Sequence, residues 1–338
     1  MYEEIIKEIK LNLGGNKDLD RKYLSGQIEK YKDHPYNKEI LKEISRMMWD
    51  CLSDEEKLEY IEITNNENQV MDILNDVSYD VESGDYDTSL EKLDKFMENF
   101  YPMFEDDEVS EYHFFTNPLE EILFYTYVGA KKEVRLIPDN QPLLDLYYLY
   151  GFLLLENQQL EKAELYLKKA IRINPVSSRI ILELCEIYKQ HTYNYNKYVM
   201  YTTEALQYAY YPQDIARCYR NLGAYYIEEN QMETALALFK YSMEYDLSPL
   251  AYKEIIYIQS KNNLDFSIEE CEEIIKAKNI QLGANPLIIE TLEELTGEYE
   301  KNQLYNQAIY FYNILYTLTK DNEILEKINN CNDNLNNI

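Results

Sequence analysis

Small residues recur along the chain at a nearly constant spacing. The intervals are 74, 72 and 73 residues, between Ser89, Ala163, Ala235 and Ala308. A large residue stands three places before each of them: Tyr86, Leu160, Met232 and Tyr305. A regular spacing of this length is typical of repeat arrays, in which each unit buries its apolar face on its neighbours. We therefore expect a stack of similar units rather than a fold around one central core.

Each interval corresponds to two units of about 36 or 37 residues. Halving the intervals gives Thr126 and Cys271, which are both small, and a position near Tyr198 to Met200, where the match fails. Upstream, Gly84 suits the turn between two helices because a helix terminus often needs a residue with left-handed backbone angles. We expect about six or seven units between residues 68 and 322, three of them divergent.

A second pattern lies within the period. In segment 144–177 it consists of large and small residues at fixed places: Tyr147, Tyr150, Gly151, Leu154, Ala163, Leu167, Ala170 and Pro175. The pattern returns over 216–249 and 289–322, with Leu222-Gly223 and Leu295-Thr296 in place of Tyr150-Gly151. In spacing and residue type it resembles the tetratricopeptide repeat (TPR), a pair of amphipathic helices.

The resemblance to the TPR family implies an all-α fold. It implies a right-handed superhelix (α-solenoid) of about six to seven TPR-like helix pairs with a helical N-terminal cap. In this interpretation Gly151, Ala163 and Ala170 let paired helices approach closely, and the large residues fill the space between neighbours.

Two regions lack the repeat pattern. Residues 1–66 are expected to form the N-terminal helical cap, with three or four helices, the last beginning at a capping box from Ser53 to Glu56. The TPR-like domain then covers residues 67–338. Within it, Asn117-Pro118 is expected to begin a helix, and residues 133–142 are expected to form an extended connection. The tail from Asp321 should add one final helix.

Charge and hydropathy exclude several classes of function. The chain has 62 acidic and 33 basic residues and a net charge of −29, so no nucleic-acid partner is expected. The longest apolar run, Leu146 to Leu155, has about half the length of a membrane-spanning helix, so no membrane association is expected. The acidic N-terminus does not resemble a secretory signal. The five cysteines are far apart, as expected for reduced thiols in a cytoplasmic protein.

No arrangement typical of an active site or a metal centre is found in the sequence. The three histidines, His34, His113 and His191, lie in separate segments, without paired metal-ligand spacing. Leu13-Gly14-Gly15-Asn16 lacks the Gly-Lys-Ser/Thr of a phosphate-binding loop and is interpreted as a turn. No nucleophile motif is present. We expect neither catalytic residues nor a cofactor nor a bound metal, and we do not expect an enzyme.

Residues 64–125 are strongly acidic. They contain 17 acidic and 2 basic residues, a net charge of −15 in 62 residues. One interpretation is a solvated face that keeps the protein soluble. The other is a docking surface for a basic partner.

The TPR resemblance also implies candidate binding residues, because the first helix of each unit lines the concave surface in that family. Carried onto this chain, it places six residues at the groove: Tyr148, Phe152, Arg179, Arg217, Arg220 and Asn221. They could bind an acidic peptide or a C-terminal carboxylate through charge-assisted hydrogen bonds. Alternatively, the arginines pair with the protein's own acids.

These observations favour a non-enzymatic scaffold or adaptor that binds a protein or peptide on its concave face. Two alternatives stay open. One is a receptor resembling the bacterial peptide-sensing regulators, with a TPR ligand domain and a protein-targeting N-terminal domain. The other is a structural subunit whose tyrosine-rich surface assembles homo-oligomers.

Overall fold

The computed structural model describes residues 2–32, 34–53, 56–57, 66–102, 104–106, 108–190 and 194–336. Over these residues the chain forms 17 α-helices, one π-helical turn and one pair of short strands. The predicted all-α class is confirmed. The chain divides into two compact units, Met1–Met71 and Asp72–Ile338.

The first unit contains α1 (Tyr2–Leu11), α2 (Lys17–Tyr31) and α3 (Asn37–Cys51). Their apolar faces meet in a small core around Ile9, Leu24 and Ile44. The glycine-rich segment between α1 and α2 is a turn, as predicted. The buried Asp20 carboxylate accepts hydrogen bonds from the backbone N–H groups of Gly14 and Gly15, each at 2.8 Å.

The predicted capping box after α3 is confirmed. The backbone N–H of Ser53 donates to Glu56 Oε2 at 2.7 Å, and the backbone N–H of Glu56 donates to Ser53 Oγ at 3.1 Å. Such reciprocal bonds satisfy the free N–H groups at a helix start. The rest of the predicted helix, from residue 58, lies outside the described residues.

The second unit holds the remaining elements. In chain order they are α4 (Asn66–Ser83, from residue 72 onward), α5 (Tyr86–Met97), β1 (Ser110–His113), α6 (Pro118–Leu123) with the π-helical turn Phe124–Val128, β2 (Glu133–Leu136), α7 (Leu143–Glu156), α8 (Leu160–Ile173), α9 (Ser178–Gln190), α10 (Tyr195–Tyr208), α11 (Pro212–Glu228), α12 (Met232–Ser242), α13 (Pro249–Asn262), α14 (Ile268–Ala277), α15 (Pro286–Lys301), α16 (Tyr305–Thr319) and α17 (Asn322–Asn336). Neighbouring helices pack consecutively from α7 to α13 and again from α15 to α17. This is the packing expected of an α-solenoid.

The turn within a helix pair has the same geometry four times. Its central residue has left-handed backbone angles, with φ between +56° and +79°, at Gly84, Gln158, Asn230 and Gln303. The next residue donates its N–H to a carbonyl five places earlier, at 2.8 Å each time. The left-handed conformation predicted for Gly84 is therefore confirmed, and the turn recurs with the period found in the sequence.

The small residues that set the period are all fully buried at the start of a second helix: Ser89, Ala163, Ala235 and Ala308. Of the intermediate positions, Cys271 is buried in α14, and the segment around Tyr198 lies in α10. Thr126 does not fit the repeat. It is exposed in the π-helical turn after α6, so the unit predicted there is absent from the described structure. Six helix pairs remain.

An insertion, residues 110–136, replaces that unit. Its strands β1 and β2 pair in parallel, from Ser110 opposite Glu133 to His113 opposite Leu136. The predicted extended conformation of 133–142 is thus found over Glu133–Leu136, but the strand pairing was not predicted. The predicted helix start is confirmed, because the Asn117 side chain accepts a hydrogen bond from the N–H of Glu120.

The insertion lies against three connections between successive helix pairs. The N–H of Phe114 donates to the carbonyl of Ile173 at 3.2 Å, at the end of α8 where the connection to α9 begins. Tyr210, between α10 and α11, donates to the Glu120 carboxylate at 3.0 Å. Asn285, between α14 and α15, donates to the Tyr127 hydroxyl at 2.7 Å. The insertion therefore ties together helix pairs that are far apart in sequence.

Gly151 lies where α7 and α8 approach each other closely. A Cβ atom at this position would lie 2.9 Å from Leu167 Cγ and 3.1 Å from the Leu167 backbone nitrogen. We expect Gly151→Val to lower the free energy of unfolding by about 2 kcal/mol, because overpacking forces the helices apart. Gly297→Ala is the matched control, since its Cβ would meet no atom within 4 Å. It should raise stability by about 0.5–1 kcal/mol, through reduced chain entropy. Urea denaturation followed by circular dichroism measures both, and equal stabilities would contradict this account of the period.

No helix within the described ranges has the length and apolarity needed to cross a lipid bilayer. All five cysteines are free and buried, as predicted: Cys51, Cys185, Cys218, Cys271 and Cys331.

Candidate functional site

A groove of about 560 Å³ lies in the second unit between α9, α11 and α13. Helix α12 contributes Phe239 to its floor. We use the name groove for the surface formed by Glu186, Lys189, Arg217, Arg220, Asn221, Ala224, Ile227, Glu228, Phe239, Ser248, Leu250, Ala251 and Glu254. The buried Phe239 and Ala251 form its apolar floor, Leu250 is 71% exposed, and charged side chains also line the groove.

Helix α11 supplies most of the groove. Its contributing residues recur at intervals of three and four, at 217, 220, 221, 224, 227 and 228. Residues at these intervals lie on one face of an α-helix. The opposite face of α11 is buried in the main core through Ile215, Cys218 and Tyr219. The helical period therefore turns this set of residues toward the groove.

Asn221 lines the groove with a buried side-chain amide that has no hydrogen-bond acceptor among the described residues. Its side chain is only 4% exposed, and its amide nitrogen Nδ2 has no hydrogen-bond partner among the described residues. A buried donor without an acceptor costs about 1–3 kcal/mol. Such groups are rare in folded proteins, and each calls for an explanation. Because Asn221 lines the groove, rotation about the terminal bond of its side chain would present this donor to a ligand oxygen there.

Arg217 is already paired within the protein. Its guanidinium binds both carboxylate oxygens of Glu183, at 2.7 and 3.2 Å, and one oxygen of Glu186 at 3.4 Å. Burial acts to lower the pKa of Arg217, but the hydrogen bonds and negative charges of Glu183 and Glu186 together outweigh burial and raise that pKa above its ordinary value. The positive charge predicted to face a ligand is thus compensated by two neighbouring acids.

Arg220 is paired more loosely. Its Nη1 atom donates to Asp246 Oδ2 at 3.1 Å, across the loop that leads into α13. An arginine has five N–H donors in a planar fork. Because Asp246 occupies one terminal nitrogen, Arg220 keeps donors for a second acceptor in the groove.

The other predicted residues lie outside the groove. Arg179 donates from Nε to the Tyr148 hydroxyl at 3.1 Å, and its guanidinium lies 5.2 Å from the centre of the Tyr148 ring. Arg179 lines a separate cavity of about 540 Å³ together with Tyr211 and Asp214. Phe152 packs edge-on against Tyr86 of α5. The structure therefore brings together Arg217, Arg220 and Asn221 and separates them from the other three.

Helix α13 contributes groove residues that the sequence analysis missed, Leu250 and Glu254. A signal for this helix was present. Ser248 caps its start by accepting a hydrogen bond from the N–H of Ala251, and Pro249 occupies its first turn. Segment 216–249 of the repeat pattern ends at Pro249, and the pattern assigned no groove residue to the helix that this proline begins.

The acidic segment 64–125 uses several of its acids within the second unit. Lys92 binds Asp76 at 3.1 Å and Asp80 at 2.9 Å, and Arg172 binds Asp106 at 3.1 Å. Asp107 lies outside the described residues. Docking of a basic partner on this segment stays a prediction.

Among the residues described, no group of three His, Cys, Asp or Glu side chains is placed to hold a metal ion. His191 is not among them. Comparison of the sequence with protein-family models and with curated proteins gives no match.

Proposed function

We propose that the second unit is a right-handed TPR superhelix that acts as a non-enzymatic scaffold in the cytoplasm. In this proposal the groove binds a short peptide segment of a partner protein. The fourfold recurrence of the turn and of the buried small residues supports the assignment to TPR-like repeats. The five free, buried cysteines suit a reducing compartment.

The single observation that carries the proposal is the unpartnered amide of Asn221 at an apolar groove floor. A peptide main chain presents one carbonyl oxygen per residue, so any extended segment brings an acceptor within reach. The groove volume falls within the range of roughly 300–1,000 Å³ typical of ligand sites. Phe239, Ala251 and Ile227 offer apolar contact to a side chain of the same peptide.

The charges favour recognition of the main chain over recognition of an acidic side chain. Glu183 and Glu186 compensate Arg217, and Asp246 holds one end of Arg220. An incoming carboxylate would have to compete with these acids for the same donors. A neutral carbonyl at Asn221 displaces no existing bond, and Arg220 then provides a second donor.

Selection of random peptides displayed on phage tests this proposal. The wild type is expected to enrich peptides that bind it, and Asn221→Ala should weaken their binding about tenfold, because one buried hydrogen bond is lost. The same substitution should leave the melting temperature unchanged or slightly higher, since it removes an unsatisfied buried group. Loss of binding therefore cannot be attributed to unfolding.

Asn313→Ala is the matched control, because Asn313 is an exposed asparagine of α16 whose side chain, among the residues described, bonds only within its own helix. It should bind the selected peptides like the wild type. Failure to enrich any peptide, or equal binding by the wild type and Asn221→Ala, would contradict the proposal.

A further inference from the structure

The exposed face of α13 carries large apolar residues. Leu250 is 71% exposed and Tyr257 is 54% exposed, and Tyr252 and Ile256 are exposed beside them. Leu247, in the loop that leads into the helix, is also exposed. Single exposed apolar residues are common, but a contiguous set on one helix indicates a surface that another chain covers.

The packing of the second unit explains why this face is open. The first helices α7, α9 and α11 pack each on the next, but α13 and α15 make no extended contact with one another. Helix α13 is held mainly by α12, in a small cluster of its own around Phe239, Ala251 and Ile258. The stack of first helices is therefore interrupted at α13. The exposed apolar residues lie on the side of α13 away from Ala251, Ile255 and Ile258, which pack on α12.

One stripe of this face is complementary to itself. Five residues lie on one side of the helix, because the last four stand three, four, seven and eleven places after the first: Leu250, Lys253, Glu254, Tyr257 and Lys261. When two identical helices pack antiparallel about a two-fold axis, residues placed symmetrically about one point face each other. The point midway between residues 253 and 254 makes Leu250 face Tyr257 and Lys253 face Glu254. Both pairs are favourable, one apolar and one of opposite charge.

The local charge of this face also favours contact between two copies. The chain carries a net charge of −29, so most surfaces of two copies repel each other. The stripe has two lysines and one glutamate, and none of the three has a charged partner in the parts of the chain that the structure covers. Repulsion between more distant acids is screened beyond about 8 Å at physiological salt. A local excess of positive charge lowers the cost of bringing a second copy to this face.

We propose that two copies of this chain dock through α13, antiparallel about a two-fold axis. Leu250 of each copy packs on Tyr257 of the other, and Lys253 of each pairs with Glu254 of the other. The contact is small, so the dimer dissociates in the micromolar range. The inference does not rest on the proposed function. Leu250 and Glu254 also border the groove, but Asn221 lies on another helix, so each proposal can fail separately.

Sedimentation equilibrium tests the docking. The wild-type mass should rise from 40.4 kDa toward twice that value across roughly a hundredfold range of concentration. Lys253→Glu and Glu254→Lys should each weaken association at least about tenfold, because a two-fold axis creates each like-charge pair twice. The double variant Lys253→Glu/Glu254→Lys should restore dimerisation, since it exchanges the partners. Leu250→Glu should abolish it.

Leu304→Glu is the matched control, because Leu304 is an exposed leucine in the turn between α15 and α16. It adds the same charge and should leave the dimer intact, as should Asn221→Ala. A monomer at every concentration would overturn the proposal and leave the face to a different partner. A dimer that persists in Leu250→Glu would also overturn it. Failure of the double variant to restore association would overturn the antiparallel register.

Discussion

Glu120→Ala is expected to lower the free energy of unfolding of the second unit by about 3–5 kcal/mol, because two buried donors and one partly buried donor lose their acceptor. The Glu120 side chain is 3% exposed. One of its oxygens accepts hydrogen bonds from the N–H of Thr116 at 2.7 Å and from Asn174 Nδ2 at 2.8 Å, and the other accepts from the Tyr210 hydroxyl at 3.0 Å. The carboxylate thus joins the insertion to two connections between helix pairs, and its loss should loosen all three segments together.

Urea denaturation followed by far-ultraviolet circular dichroism measures this effect. Glu121→Ala is the matched control, because Glu121 is the next residue of the same short helix and its side chain bonds to no described residue. It should change stability by less than about 0.5 kcal/mol. Similar losses in both variants would show that the helix, and not the buried carboxylate, holds the insertion in place.

Arg217→Glu is expected to cost about 3–5 kcal/mol, because it removes the bidentate cation of the buried Glu183 and adds a third carboxylate beside Glu183 and Glu186. Glu183 is buried, and Arg217 is its bidentate partner. The measurement is again the midpoint of urea denaturation. Charge reversal at this position should therefore unfold or loosen the groove before it reports on any ligand, which is why Asn221 is the better probe of binding.

Lys168→Glu is the matched control for this prediction. Lys168 forms an ion pair with Glu164 one turn away on α8, and both side chains are partly exposed. Reversing its charge changes the net charge by the same amount but should cost less than about 1 kcal/mol. The exchange variant Glu183→Arg/Arg217→Glu should recover part of the lost stability. A loss at Arg217 no greater than at Lys168 would contradict the buried pairing.

The repeat could be predicted from the sequence because its determinants are local. Gly84, the buried Ser89 and the buried Ala163 each act within a single helix pair. Spacing and residue size are therefore enough to locate them. The insertion could not be predicted in the same way. Strands Ser110–His113 and Glu133–Leu136 have four residues each, and their pairing depends on support from distant connections. Thr126 has a suitable size and spacing, but the prediction of a repeat unit there assumed that the array of helix pairs is unbroken.

The groove could be predicted only in part, for a related reason. Arg217, Arg220 and Asn221 share one helix face, so the helical period was enough to place them together. Arg179 stands in the first turn of α9, and its position depends on how α9 packs against α7 and on its contact with Tyr148. The position of Leu250 at the groove depends on how α13 packs, and the interruption of the stack there is not predicted by any local sequence pattern.

The most direct test of peptide binding is the nuclear magnetic resonance signal of the Asn221 side-chain amide. In protein labelled with ¹⁵N-asparagine, this signal is identified by its absence from Asn221→Ala. On titration with a peptide selected on the wild type, we predict that the Asn221 amide signal shifts as its Nδ2 gains an acceptor, while the Asn313 amide signal stays in place. A peptide that binds without moving the Asn221 signal would contradict the central claim that this amide anchors the ligand in the groove.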